Sequence, residues 1–216
     1  MNNAEEPDKV AANKGTNAAH DYHCSVKDLQ WGSTWPDREE FHRLADAGYR
    51  IIPIVRRLLG DTLTPVGFYE RLAHGRSGSF ILETAEYAGS WNRYSFIGVH
   101  SIAQLRSNHG EADWLGQVPT GVPQHGDVID VARETLNILK APEVEGLPNL
   151  TSGLVGTIGW DATRHWEKKL PHEAVNETSQ PELVLALATD IAVVDQFSGS
   201  VGLIANAGKL DNRPTR

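Results

Sequence analysis

Glu83 and Thr84 stand at the end of an apolar, strand-favouring run, Ser79 to Leu82. A carboxylate and a hydroxyl in that position are costly if they lack partners, and as a pair they can hold an amino-acid-like ligand. The same two residues also suit the start of a solvated turn, because connecting segments are ordinarily polar and exposed. Arg56 and Arg57, side by side, suggest anion binding, although paired arginines at the end of an edge strand are usually solvated. His20, His23 and Cys24 offer donors of the kind zinc takes, but no second pair at ligand spacing follows nearby, and chance clustering in a polar tail accounts for them. Gly153, Gly156 and Gly159 recur every third residue within an apolar stretch. Their spacing is not that of the phosphate-cradling loops, so they are read as room for another backbone or a bulky side chain. Asp161 and Arg164 receive a structural role, as the cap of a short helix and its ion-pair partner three residues on.

Local signals predict the elements that must place these groups. Ser79 to Leu82 and Tyr94 to Ile97, separated by a polar segment with Gly89, Ser90 and Asn92, read as two antiparallel strands of a hairpin. The helix leading into it is well specified: Thr64 caps, Pro65 fills the first turn, Phe68, Tyr69 and Leu72 give the apolar face, and Gly75 stops it. Earlier in the chain, Asp37 and Glu40 form a capping box for a short helix with Phe41 and Leu44 on its apolar side and Gly48 beyond its end. Tyr49 to Leu58 reads as a strand, with an edge position or a break at Pro53, which cannot donate to a ladder.

Beyond the hairpin, Val99, Ile102 and Leu105 predict a third strand with a turn at Asn108, His109 and Gly110, an antiparallel meander being the economical arrangement. Asp127 caps a helix to about Leu139, with Val128, Val131, Ala132, Thr135, Leu136 and Leu139 on the face toward the sheet. Pro181 to Asp195 and Val201 to Ala205 close the chain as a second hairpin. The predicted fold class is therefore α+β, antiparallel sheets with a few packed helices.

Composition narrows the function classes. The 216 residues are 40% hydrophobic and 22% charged, as in ordinary globular proteins, and long enough to bury a core. A net charge of −8 argues against a general nucleic-acid or acidic-membrane surface, since phosphate binding needs clustered positive charge. One cysteine excludes an internal disulfide framework and suits a cytoplasmic location. No apolar run approaches the roughly 18 residues of a spanning helix, and Met1 to His20 lacks the basic-then-apolar order of a signal peptide. Residues 1–35, polar and without period, are expected to be a disordered leader, residues 36–207 the folded domain, and residues 208–216 a linker or truncated end.

Two stretches resemble anthranilate synthase component I. Ile81, Leu82, Glu83 and Thr84 stand where that family has Leu-Leu-Glu-Ser, and Trp91, Arg93, Tyr94, Ser95, Phe96, Ile97 and Gly98 match its Trp-x-Arg-Tyr-Ser-Phe-Ile-Gly segment. Gly153, Leu154, Val155, Gly156, Gly159, Trp160, Asp161 and Arg164 fall on a second signature, with Thr157 and Trp160 in place of tyrosines and one extra lysine, Lys168 or Lys169, before Leu170. Ala188, Thr189 and Asp190, then Leu203 to Ala207, match the family's closing strands. The resemblance, from about Ile51 to Ala207, implies that Leu82, Glu83, Thr84 and Tyr94 contact L-tryptophan as feedback inhibitor. Thr84 departs from the usual serine, keeping a hydroxyl but adding a methyl and a stiffer side chain.

The same resemblance implies an enzyme that makes anthranilate from chorismate with a glutamine amidotransferase subunit and Mg²⁺. Its chorismate site, metal-binding carboxylates, and general acid and base belong to a carboxy-terminal catalytic domain whose motifs are not in these residues. The expectation is an amino-terminal sensing portion, inactive alone, with no catalytic residue, metal or cofactor of its own. A sister enzyme making aminodeoxychorismate shares the strand pattern, and a stand-alone amino-acid-binding module is the reading from a different class.

Overall fold

The structure, a computed structural model, describes residues 24–60, 62–83, 93–167, 169–170 and 180–208. Residues 1–23, Thr84, Trp91, Lys168 and residues 209–216 lie outside them, and with them most of the expected leader and tail, His20 and His23, and the hairpin tip.

Strands β1 (Cys24–Ser25), β2 (Thr34–Trp35), β3 (Ile51–Leu59), β4 (Phe80–Leu82), β5 (Tyr94–His100), β6 (Ala103–Asn108) and β7 (Glu111–Gly116) are followed by β8 (Val144–Glu145), β9 (Gly153–Ile158), β10 (Leu183–Ala188), β11 (Asp190–Asp195) and β12 (Ser200–Gly208). Three helices, α1 (Arg38–Asp46), α2 (Pro65–Leu72) and α3 (Val128–Ile138), and a 3-10 helix, Trp160–His165, complete an α+β fold. A six-stranded sheet runs β2-β3-β12-β11-β5-β4, a four-stranded sheet runs β7-β6-β10-β9, and β1 pairs with β8. Every ladder is antiparallel except the last.

The helices start where short side chains capture orphan amides. Asp37 accepts from the Glu40 amide at 2.8 Å, Thr64 from Gly67 at 3.1 Å, and Asp127 from Ile129 and Asp130 at 2.9 and 3.2 Å. Helix α2 lays Phe68, Tyr69 and Leu72 against Ile97, Ala192, Val194 and Val201 on one face of the larger sheet. Helix α3 packs Val128, Val131 and Ala132 on Leu105, Leu183 and Leu185 of the smaller one. Leu136, expected on that inner stripe, lies at its margin and is 49% exposed.

Four expectations are revised. Ordered structure does not begin at Pro36: β1 and β2 precede it, and Val26, 7% exposed, packs with Leu44, Ile52 and Val144. The apolar residues of this stretch are spaced without period, which is why composition alone reads it as leader.

Pro53 neither breaks β3 nor marks a bare edge strand, since β3 pairs with β12 along its length and with β2 over Val55 and Arg56. Asn206, opposite Pro53, gives its amide to Thr189 on the far side. Pro53 is thus a non-hydrogen-bonded partner of β12, its missing donor directed past the end of the two-residue β2.

The meander is split. The β6–β7 turn forms as predicted, His109 and Gly110 both having positive φ of 52° and 84°. Strands β5 and β6, however, belong to different sheets, as do β10 and β11. The two crossings meet where Thr189 donates its hydroxyl to the His100 carbonyl at 2.9 Å, beside a register shift at Asp190 and Ile191. Finally, Asp161 does not cap the 3-10 helix. Gly159 holds the cap position, and Asp161 pairs with Arg164 from the first turn.

Candidate functional site

Directly opposed residues of neighbouring strands share a face, so the ladders of the larger sheet sort its side chains. Phe80, Leu82, Tyr94, Phe96, Val193, Asp195, Ser200, Gly202, Ile204, Val55 and Arg57 lie on the face opposite α2. The segments around Val26 to Leu29 and Gly146 to Pro148 cross above this face and leave a cavity of about 300 Å³. Val55, Val193, Gly202 and Ile204 floor it, and Lys27, Arg57, Arg93, Tyr94 and Asp195 supply its polar and aromatic lining.

Asp195 organises one end. It is 6% exposed at the last position of β11, and Arg93 grips it with two parallel bonds, Nε to Oδ1 at 2.9 Å and Nη2 to Oδ2 at 2.7 Å. The Phe197 amide adds a bond to Oδ1 at 3.1 Å and the Ser198 hydroxyl one to Oδ2 at 2.7 Å. Burial pushes the carboxyl upward, but the bonds from Arg93, Ser198 and Phe197 outweigh it and hold Asp195 below the usual carboxylate value. The same bond holds Arg93 above its ordinary value. Arg93 also lies over the rings of Tyr94 and Phe197, 5.0 and 5.7 Å from their centroids.

The four residues singled out in the sequence are placed differently from one another. Tyr94 is half-buried and lines the cavity, opposite Asp195 in the ladder. Leu82 shares that face but is 44% exposed at the outer edge strand. Glu83 is exposed and does not line the cavity, and Thr84 lies outside the described residues. Glu83 takes the exposed position that a solvated turn predicts, and the buried carboxylate on this face of the sheet is Asp195. Both are carboxylates ending an apolar strand, and the signal is the same; only the sheet order makes one central and the other peripheral. Arg57, read as solvated, lies in the cavity wall, its Cζ 4.5 Å from the centre of the Trp31 ring. Lys27 was hidden in the supposed leader.

A second cluster ties the smaller sheet together. His165, its side chain 10% exposed, lies between Asp127 and Glu182, with Nδ1 2.7 Å from Asp127 Oδ2 and Nε2 3.2 Å from Glu182 Oε1. Burial pulls the imidazole down, but Asp127 and Glu182 outweigh it, so its pKa is raised. Asp127, though burial acts upward on it, is held low by His165 and the amides it caps. The stability contributed through the raised histidine is fully present below its ordinary value of 6.5 and is lost as pH rises through the higher native value. His165→Gln is expected to cost roughly 1–2 kcal/mol at pH 6, with the gap to the parent closing by pH 9. Thermal melts across that range measure it; a gap independent of pH would remove the charged latch.

Among the described residues no group of three or more His, Cys, Asp or Glu side chains is placed to hold a metal ion. No described helix is long and apolar enough to cross a membrane.

No protein-family model matches the chain. Anthranilate synthase component 1 of Arthrobacter globiformis is 47% identical to it over 181 residues, 84% of this chain and 34% of that protein. The protein of the same name from Mycolicibacterium smegmatis is 45% identical over 170 residues, 79% of this chain and 32% of that one. The chain is homologous to anthranilate synthase component I. It spans about a third of the length of these relatives. A crystal structure of anthranilate synthase component I from Streptococcus pneumoniae TIGR4 aligns with a TM-score of 0.43 at 22% identity, covering 73% of this chain and 32% of that one. On the anthranilate synthase resemblance, the first signature is the β4–β5 pair, Leu82 opposite Phe96, and the second is β9 with the 3-10 helix after it.

Proposed function

We propose that this chain is the amino-terminal, tryptophan-sensing portion of anthranilate synthase component I, acting in the cytoplasm. The whole enzyme would convert chorismate and ammonia, the latter from a glutamine amidotransferase subunit, to anthranilate and pyruvate. The observation that carries the reading is the 47% identity over 181 residues to a protein of that name; the pairing of β4 and β5, with Ile81 and Leu82 opposite Ile97 and Phe96, supports it. Tryptophan would lie at the Leu82 to Thr84 end of β4 near Tyr94, with the remainder of the enzyme completing its pocket. The described residues would bind and report; the bond-making acid, base and Mg²⁺ clamp would belong to that remainder. Inhibition follows only if tryptophan favours one arrangement of the two parts, since a ligand shifts an equilibrium through differential affinity alone.

The test uses the whole enzyme with its amidotransferase subunit. Anthranilate is the expected product and tryptophan the expected inhibitor. Thr84→Ser is expected to lower the inhibitory tryptophan concentration several-fold, about 1 kcal/mol, by removing a methyl that crowds the ligand. Formation of aminodeoxychorismate instead of anthranilate would overturn the assignment, and an unchanged inhibition curve for Thr84→Ser would overturn the role of the methyl.

A further inference from the structure

Glycine in the middle of a central strand is unfavourable by roughly 0.5–1 kcal/mol relative to alanine, and Gly202 is such a residue, between Val193 of β11 and Arg57 of β3. Crowding does not require it: a Cβ built there has a single neighbour, the Val193 carbonyl oxygen at 4.0 Å. Its φ is not in the left-handed region, so turn geometry does not require it either. What the missing side chain leaves is the open floor of the 300 Å³ cavity, a volume at the small end of ligand pockets.

The charges around this floor do not balance. Lys27 pairs with Glu145, and Arg93 with Asp195. Arg57 is the remaining cation, stacked on Trp31 and without a carboxylate partner among the described residues. Asp195 has no acceptor to spare, because each of its oxygens already takes two donors.

We propose that this cavity is a binding site for a small monocarboxylate with a flat or branched apolar body. The carboxylate pairs with the Arg57 guanidinium, whose planar fork suits it, and the body lies over Gly202 against Val55, Val193 and Ile204. An ammonium on the same molecule finds a net positive wall whose one carboxylate among the described residues, Asp195, is already fully bonded, so an amino acid binds more weakly than its desamino analogue. The site stands on the cavity; it shares Tyr94 with the tryptophan contacts proposed above, whereas Leu82 and Glu83 are not among its lining residues.

The experiment is calorimetric titration of the 216-residue chain with indole-3-propionate, L-tryptophan and tryptamine. Indole-3-propionate is expected to bind, tryptophan at least about tenfold more weakly, and tryptamine not detectably. Arg57→Gln and Gly202→Val are each expected to weaken indole-3-propionate at least about tenfold, the first by removing the anchor and the second by filling the floor. Circular dichroism and melting temperature show whether each variant folds, and Gly202→Val, a β-former in open space, is expected to melt no lower than the parent. Tryptamine binding as well as the acid, undiminished binding by folded Gly202→Val, or no binding of indole-3-propionate at millimolar concentration would each overturn the proposal.

Discussion

Gly156→Ala is expected to detach β9 from the smaller sheet and to cost about 3 kcal/mol or more. A Cβ at this position would stand 2.0 Å from the Val184 carbonyl oxygen and 3.0 Å from the Leu185 Cα. Both are backbone atoms of β10, the strand that pairs with β9 over six residues. A side chain in the way can rotate; a ladder carbonyl can yield only by breaking the ladder, and β10 holds the centre of the sheet between β9 and β6. The damage would reach Leu183 and Leu185 under α3, both buried. Gly202→Ala is the matched control, a glycine of another central strand whose Cβ meets open space. Urea unfolding should show a large fall in midpoint for Gly156→Ala and none for Gly202→Ala. Equal midpoints for the two variants would mean that the close approach at Gly156 does not matter.

Arg93→Leu is expected to cost roughly 2–4 kcal/mol at pH 7. The guanidinium is 45% exposed, so its own loss is inexpensive. The cost arises at Asp195, left charged and 6% exposed with only the Phe197 amide and Ser198 hydroxyl. In the parent, whose Asp195 is held below the ordinary value, the pair's contribution is present above about pH 3.9 and is lost as pH falls through the lower native value. Without Arg93, burial dominates and the carboxyl moves upward, so the variant gains relative to the parent on acidification. The gap in stability between parent and variant should narrow steadily from pH 7 to pH 3. A gap of constant size would show that Arg93 stabilises this end of the sheet by packing on Tyr94 and Phe197 rather than by charge.

Much of the fold was legible where the physics is local. The caps at Asp37, Thr64 and Asp127, the proline in the first turn of α2, the turn at His109 and Gly110, and the β4–β5 and β11–β12 pairs all depend on residues within a few positions of one another or on alternation along one strand. The glycine run was correctly read as close approach at Gly156. Its members do different things all the same: Gly153 has a φ of 139° and Gly159 begins the 3-10 helix.

What failed to show was decided between distant segments. That Val26 joins a core with Leu44 and Val144 follows from a pairing across more than a hundred residues, which no window on the sequence contains. The passage of two strands from one sheet to the other at His100 and Thr189 is a hydrogen bond between residues 89 apart. Glu83 and Asp195 carry the same local pattern, yet one ends an edge strand in water and the other ends a central strand on an arginine.

By itself the sequence determined the three helices, the strands β3, β4, β5, β9 and β12, and the motifs that make this chain a relative of anthranilate synthase component I. Caps, turns and alternation act over distances that chain connectivity already fixes. Tertiary structure alone decided that Arg57, Gly202 and Tyr94 share a cavity beneath Val26 and Leu147, because strand order and register depend on pairings between segments far apart in the chain.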